Sequence, residues 1–545
     1  MEETATKEQL SGPMGKGTES RNWVTELKVP PIYRQHCPVT VKEDMAINMK
    51  DGIVLRGRLF LPELPQGERC PCIVLANGYG HINQPREDGL SRYLATHGYA
   101  VLHISLRGSG TSGGNNTLFN KYGEDGYELV EWMAKQPWSD GSVGMVGQSL
   151  RGISQWQTAK QLPPSLKAIS PEIACSDCYD YMWYPGGMLP GPGRAARGEP
   201  EYPSATEHPN FDEWWHERSV LDEDMKTIVN HDITALISGG WNDYIIHGTL
   251  KSYIKFKAAG GKSKLIVGAG AHHSVQNLLP YDFKDYQVLW FDRYLLGLHN
   301  GVDKDDNVLV YIQGPNKWRY EKDWPIPDTH LATLYLTNKL SESIKSVNDG
   351  SLDASLPKER QSSVKYSYSP ISGPFLPTMR SNKDGILRID QQSFEEKAIT
   401  WTTGPLSIAT EVTGEIIFTF WAESTSEDTD FVVEITDVAP DGKSRQVTSG
   451  YLNASRAKSR SNPRRITPGL VEQYVIEMIP TSYVFTANHR IRLSLAGGSM
   501  ALKEQVGPQG PGLNPNPSTV TVYLDVNYPS NLKLPLIGVS SLQTI

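Results

Sequence analysis

Apolar and polar positions follow two different rhythms along this chain. From Val39 to Pro62 they alternate on either side of Asp51-Gly52, a pair suited to a tight turn, which predicts two strands of a hairpin. Cys72-Ile-Val-Leu-Ala-Asn77 and Ala100 to Leu106 are instead continuously apolar and stop in glycine-rich loops, as strands covered on both faces of a parallel sheet do. Helices are predicted over Gly89 to His97, over Glu124 to Gln136 and onward from Leu150. Ala168 to Ala174, Thr234 to Gly239 and Lys264 to Gly268 continue the series as strands, with a helix over Gly248 to Ala259 between the last two. This alternation predicts an α/β fold around a parallel sheet, in which reactive groups collect at the carboxyl ends of the strands.

Two stretches break the rhythm. Between Cys175 and about His231 the chain is rich in Pro, Gly and aromatic residues, among them Tyr179, Trp183, Tyr184, Phe211, Trp214 and Trp215, and reads as an inserted cap. From about Asn307, short alternating runs separated by turn residues, beginning with Val308 to Gln313 and ending with Thr519 to Asn527, predict an all-β sandwich. Lys339 to Asn382 shows little apolar periodicity and is expected to be a long surface connection. The expected division is a disordered arm over 1–25, an α/β domain over 26–174 and 232–306, a cap over 175–231 and a β-sandwich over 307–545.

Composition narrows the function. At 545 residues the chain exceeds what one core supports, and 13 Trp and 25 Tyr supply large side chains for cores and a pocket. A net charge of −8 with no long basic run argues against a nucleic-acid partner. Met1 to Arg21 is polar, without the apolar segment of a secretion signal, and no apolar run has the length of a membrane span. A cytoplasmic protein with no membrane partner is the expectation. The five cysteines (Cys37, Cys70, Cys72, Cys175, Cys178) are an odd number, and the C-x-x-C of Cys175 and Cys178 lacks a second pair of ligands. Thiols are expected, and neither a metal nor another cofactor.

Candidate chemistry centres on Val143 to Gln155, an apolar strand that passes through Gly147 to Ser149 and then into a helix. Such a tight strand-to-helix turn lifts a serine hydroxyl to the mouth of a sheet. The match to G-x-S-x-G is imperfect, since Arg151 takes the place of the second glycine, which comes one residue late as Gly152. A serine hydroxyl needs a base, and the base needs an orienting carboxylate. Asp243 lies just beyond one later strand, and His272 or His273 just beyond the next. Ser149, Asp243 and His272 or His273 therefore follow the chain order of α/β-hydrolases.

Beyond these separate features, the chain resembles the cocaine esterase and X-prolyl dipeptidyl-peptidase group of serine hydrolases. Gly147-Gln-Ser149-Leu-Arg-Gly152-Ile-Ser-Gln155 is similar to that group's G-x-S-Y-x-G-x-x-Q, which accounts for the late glycine. Arg107 to Gly114, Gln136 to Met145, Gly239-Gly-Trp-Asn-Asp243 and Gly268-Ala-Gly-Ala-His272 match further motifs in order, and the last favours His272 over His273. The likeness continues through Phe211 to Arg218, Trp290 to Gly297 and Tyr483 to Arg490. It implies an α/β-hydrolase core, a short helical cap and a C-terminal jelly-roll domain. It also implies an oxyanion hole made by the Leu150 amide and the hydroxyl of Tyr79.

The chain departs from the pattern where Leu150 and Asn242 replace tyrosines and Ala269-Gly270 replaces Pro-Trp, which together with the short cap implies a more open pocket. The expected activity is cleavage of an ester, lactone or amide of a small molecule through an acyl-enzyme, the acyl substrate being the expected partner alongside, at most, a second copy in a homodimer. Three alternatives stand beside it. In an acyltransferase or cyclase, a pocket of Trp183, Tyr184 and Trp215 would shield the acyl-enzyme from water. An X-prolyl dipeptidyl-peptidase is less expected because the large N-terminal domain of those enzymes has no counterpart here. The last alternative is a catalytically silent carbohydrate-binding protein. Asp177, Asp180, Glu199 and Glu201 in the cap are as readily solvated as recruited to a carboxylate cluster of the kind that binds amino groups in related amino-acid ester hydrolases.

Overall fold

The computed structural model describes Val24, residues 36–79, 85–115, 118–119, 121–188, 202–272, 282–304, 306–368, 390–499 and 517–538, Ser540, Leu542 and three short strand pieces between Phe375 and Ile386. The arm apart from Val24, and Glu199, Glu201 and His273, lie outside these residues.

Ten strands form the first sheet: β1 (Val39–Asn48), β2 (Val54–Pro62), β3 (Cys70–Asn77), β4 (Ala100–Ser105), β5 (Ser139–Gln148), β6 (Leu166–Glu172), β7 (Thr234–Gly240), β8 (Ser263–Gly268), β9 (Val308–Ile312) and β10 (Lys317–Glu321). Their order is β1-β2-β4-β3-β5-β6-β7-β8-β9-β10, parallel from β4 through β9 and antiparallel at both ends. Every residue of β3, β4, β7 and β8 is buried, which is why their sequences carry no alternation. The β1–β2 turn forms at Asp51-Gly52 as expected: Gly52 takes φ +85°, and the Asp51 carboxylate accepts the Ile53 amide at 3.1 Å. On the outer strand, the register slips between Lys42 and Met45, with Asp44 at φ 53°. Helices α1 (Pro85–Thr96), α2 (Tyr122–Ala134) and α3 (Leu150–Lys160), followed by Ile246–Ala258 and Phe283–Leu295, alternate with the strands.

Two expectations fail here for physical reasons. Val308 to Gln313 does not open the sandwich, because Val308–Ile312 pairs with β8 as β9 and is buried at every position. A fully apolar pentapeptide after a helix suits a parallel crossover strand better than a half-exposed one. The α/β body therefore extends past 306, to β10. Lys339 to Asn382 is not simply a surface connection either: Gly350–Asp353 and Ser363–Tyr368 are strands, the latter paired antiparallel with Ser518–Tyr523. Val364 and Tyr366 alternate with polar residues there, and Tyr366 is buried.

The sandwich has its own apolar core, in which Trp401, Phe418, Phe420, Phe431 and Leu493 are buried. Ile417–Ser424 shows why the sequence alternates, since buried and half-buried positions succeed one another along the whole strand. Arg319 of β10 joins the two bodies through a buried two-point pair with Glu411, at 2.7 and 2.8 Å. His247 and Lys251 add a second link, reaching Glu415, with Lys251 also on Glu477. The cap includes a π-helical turn, Tyr179–Trp183, and the helices Glu213–Arg218 and Asp222–Asn230. Its Gly186 and Gly187 press on the sandwich so closely that an added Cβ would lie 1.9 Å from the Tyr451 carbonyl oxygen and 2.7 Å from Arg456 Cβ, respectively. Cys175 and Cys178 are buried thiols with sulfurs 3.5 Å apart. Among the described residues no helix is long and apolar enough to cross a membrane.

Candidate active site

Three strand ends place the central residues. β5 ends at Gln148, α3 begins at Leu150, and Ser149 between them takes φ 59°, ψ −123°, a region that side chains avoid unless held there. Gly147 and Gly152 make the turn possible. An added Cβ on Gly147 would sit 2.6 Å from Arg151 Cβ, and one on Gly152 would sit 2.6 Å from Ala174 Cβ. The Ser149 amide donates to the Glu172 carbonyl at 2.8 Å, tying the turn to the end of β6. Gln155, one turn into α3, donates to the carbonyls of Gly147 and Ser170 and accepts the Ser170 amide at 2.9 Å.

Asp243 follows β7 in a turn that lies against the segment after β8: the Trp241 amide donates to the Gly268 carbonyl at 2.8 Å, and the Asn242 amide to that of Gly270 at 3.1 Å. The indole of Trp241 donates to the Tyr311 carbonyl of β9 at 2.6 Å, so the reassigned strand helps to seat the acid. Asn242, in place of the family's tyrosine, donates to the Ala269 carbonyl at 2.6 Å. One Asp243 oxygen accepts the Ile245 amide at 2.6 Å, at the start of helix Ile246–Ala258. The other lies 2.7 Å from His272 Nδ1. His272 Nε2 is 2.8 Å from Ser149 Oγ, and the His272 carbonyl accepts the side-chain amide of Gln148.

The hydrogen bonds fix one tautomer. Ionised Asp243 can only accept, so the imidazole donates from Nδ1 and offers Nε2 as acceptor to the serine hydroxyl. Tyr79 completes the chain: its hydroxyl donates to Ser149 Oγ at 2.8 Å and accepts the Leu150 amide at 3.2 Å. An Asx turn holds Tyr79 in place, its amide donating to the Asn77 side chain at 2.9 Å. The Arg151 guanidinium lies 5.0 Å from the centre of the Tyr79 ring, within cation–π range. Ser149, Asp243 and His272 are buried, whereas Tyr79 is 38% exposed. The structure thus brings together Ser149, His272, Asp243, Tyr79 and Leu150.

Among the described residues, Trp183, Tyr184 and Trp215 do not line the cavity beside the site. All three are buried in an aromatic cluster around Tyr179, which stacks on Tyr184 with ring centres 4.7 Å apart. Burying each ring outweighs leaving it as an exposed wall. The cavity beside the site, of about 530 Å³, is lined instead by Tyr181 and Met182 of the π-helical turn, Tyr244, and Tyr451, Leu452 and Arg456 of the sandwich. Tyr244 connects the two, with its ring centre 4.8 Å from that of His272. Its position directly after the acid is the one signal in the sequence that points to it.

Asp177 is buried and Asp180 half-buried, and both meet Arg460, Asp177 at 2.6 Å, while the guanidinium lies 3.7 Å from the centre of the Phe211 ring. Burial and then the neighbouring Asp177 charge push Asp180 up to about 6, against the pull of Arg460. His247, Glu415 and Glu477 approach one another within 4.8 Å, but the Lys251 ammonium, 3.0 Å from each carboxylate, already supplies a cation there.

Comparison with known proteins follows the same division of the chain. The family described as X-Pro dipeptidyl-peptidase (S15 family) matches residues 51–197 and 193–274, and that described as X-Pro dipeptidyl-peptidase C-terminal non-catalytic domain matches 300–533. Cocaine esterase of Rhodococcus sp. (strain MB1 Bresler) is 24% identical, over 91% of this chain and 99% of its own. Among solved structures, an alpha-amino acid ester hydrolase aligns at a TM-score of 0.74 with 19% identity, over 97% of this chain and 100% of that one. A CocE/NonD family hydrolase from Staphylococcus aureus aligns at 0.73 with 19% identity, over 94% and 99%.

Proposed function

The chain belongs to the cocaine esterase and X-Pro dipeptidyl-peptidase group of serine hydrolases, and from that premise we propose that it cleaves an ester, lactone or amide of a small molecule through an acyl-enzyme on Ser149. The observation that carries this reading is the unbroken hydrogen-bond chain from Tyr79 through Ser149 and His272 to Asp243.

Ser149 Oγ attacks the acyl carbonyl while His272 Nε2 takes the hydroxyl proton, and Asp243 holds the imidazolium by its Nδ1–H. Negative charge gathers on the former carbonyl oxygen. The Leu150 N–H and the Tyr79 O–H, which lie beside the serine in the resting site, turn to it as donors. The intermediate collapses, and the leaving group departs with the proton from His272. Water then attacks the acyl-enzyme, gives its proton to His272, and the acid leaves as Ser149 recovers its own. Water is favoured as acceptor over a second organic nucleophile because the aromatic residues that would screen the intermediate are spent in the cap core, while Tyr79 stays open to solvent.

A fluorophosphonate probe tests the reading. The expected result is one phosphonyl adduct by intact mass, mapped to Ser149 and missing from Ser149→Ala. A folded wild-type protein that takes no adduct would overturn it. Product analysis with added alcohol or amine, compared with water alone, separates hydrolysis from acyl transfer.

A further inference from the structure

Among the described residues, the buried guanidinium groups of Arg218, Arg319 and Arg492 each meet a carboxylate, and that of Arg456 meets none. Arg319 is paired with Glu411 and Arg492 with Glu395, all four side chains being almost inaccessible. Arg456, in the short turn Ala454–Arg456 after strand Ser444–Asn453, is only 7% exposed and makes no ion pair among the described residues. Its Nη2 donates to the Pro209 carbonyl and the Asn210 side chain, both at 3.0 Å, while its Nε is buried with no hydrogen-bond partner. A buried charge in that condition is costly unless something else completes it.

Arg456 lines the cavity of about 530 Å³, a size suited to a small ligand, whose wall includes Asp243 and Tyr244, the latter with its ring centre 4.8 Å from that of His272. The other charges on its wall are matched within the protein. Arg460 faces Asp177 and Asp180, Lys458 faces Glu472, Glu477 faces Lys251, His247 faces Glu415, and Asp243 faces His272. Among the described residues, Arg456 remains as the one cation on this wall without a counter-charge. Gly187 keeps its place open, since a side chain there would collide with the Arg456 stem at 2.7 Å.

We propose that Arg456 binds a carboxylate carried by the substrate at its non-reacting end, so that the preferred substrates are monoanionic esters or amides; this rests on the serine hydrolase reading above. With Nη2 engaged by Pro209 and Asn210, Nη1 is the group left to donate to a carboxylate oxygen.

The test compares full-length wild type, Arg456→Met and Arg456→Lys on three probes. These are p-nitrophenyl hemiglutarate, with the carboxylate on the acyl side; 4-acetoxybenzoate, with it on the leaving side; and neutral p-nitrophenyl hexanoate. Wild type is expected to favour at least one anionic probe over the neutral one. Arg456→Met should lose about 10- to 100-fold in kcat/KM on that probe alone, mostly in KM, with Arg456→Lys in between. The anionic arm that responds identifies the side that carries the charge. Fluorophosphonate labelling of Ser149, run on the same samples, keeps the two ideas apart: labelled enzyme with no anionic preference sinks the Arg456 proposal, whereas unlabelled enzyme sinks the hydrolase reading. Should Arg456→Met fail to fold, wild type alone still decides. Glutarate at millimolar concentration should then raise its melting temperature and compete with the anionic probe, while hexanol does neither, and the absence of any glutarate effect overturns the proposal.

Discussion

At the rim of the parallel sheet, Ser149, His272, Asp243 and Tyr79 each find their partners within one domain, at 2.7 to 2.8 Å. Across Tyr244, the cavity wall is assembled from the π-helical turn of the cap and the sandwich strands, and its Arg456 holds a buried nitrogen without a hydrogen-bond partner among the described residues. The rim is complete before substrate arrives, as a site whose work is to stabilise charge in a transition state must be. Under the proposed function, rate and selectivity would be carried by different parts of the chain, and substitutions should separate them.

The sharpest break is Ser149→Ala, expected to lower kcat/KM by about 10⁴ to 10⁶ with the melting temperature unchanged, as read by steady-state kinetics and a thermal scan. Asp243→Asn should cost about 10⁴ in kcat, because the amide admits the wrong imidazole tautomer while the geometry stays intact. Trp215→Ala moves the other axis: it should cost about 3 to 5 kcal/mol of stability in a denaturant titration. KM should change little, because Trp215 belongs to the cap core. A large rise in KM at full stability would instead return Trp215 to the pocket. Tyr79→Phe should lower kcat by about 10² to 10³ with KM nearly constant, and unchanged turnover would remove Tyr79 from the oxyanion site.

The smallest effect concerns the joint between the domains. Burial pushes Glu415 up, but the hydrogen bonds and charges of His247 and Lys251 outweigh it and hold the carboxyl at about 2, below its ordinary 4.5. A carboxyl with a depressed folded pKa contributes stability above 4.5, and that contribution is lost as pH falls from 4.5 toward 2. Glu415→Gln should therefore cost about 1 kcal/mol at neutral pH and flatten the acid limb of a stability-against-pH curve. An equally steep acid limb in the variant would place the effect elsewhere.

Part of the rim was legible in local pattern and chain order, because its members sit within a few residues of a strand end, whereas the choice of His272 over His273 and the place of Tyr79 came from the family resemblance. Ser149 lies between the glycines that its turn requires, and Asp243 and His272 each follow an apolar strand. The wall was not legible, because it depends on which distant residues meet. Arg456 joins Pro209 and Asn210 across the chain, and Arg460 reaches back to Asp177 and Asp180. Trp183, Tyr184 and Trp215 misled for a related reason: an aromatic-rich stretch serves a pocket or a core equally well, and only packing decides. Val308–Ile312 misled through its length, since five apolar residues fit a sandwich strand or a parallel one until the partner strand is known.

The bulge in β1 has a consequence for assembly. Lys42, Glu43 and Asp44 stand exposed on the outermost strand of the ten-stranded sheet, and the slipped register between Lys42 and Met45 bends its free edge. A charged, kinked border of this kind is a poor template for another polypeptide. Two molecules meeting along this strand would not readily zip into a continuous ribbon.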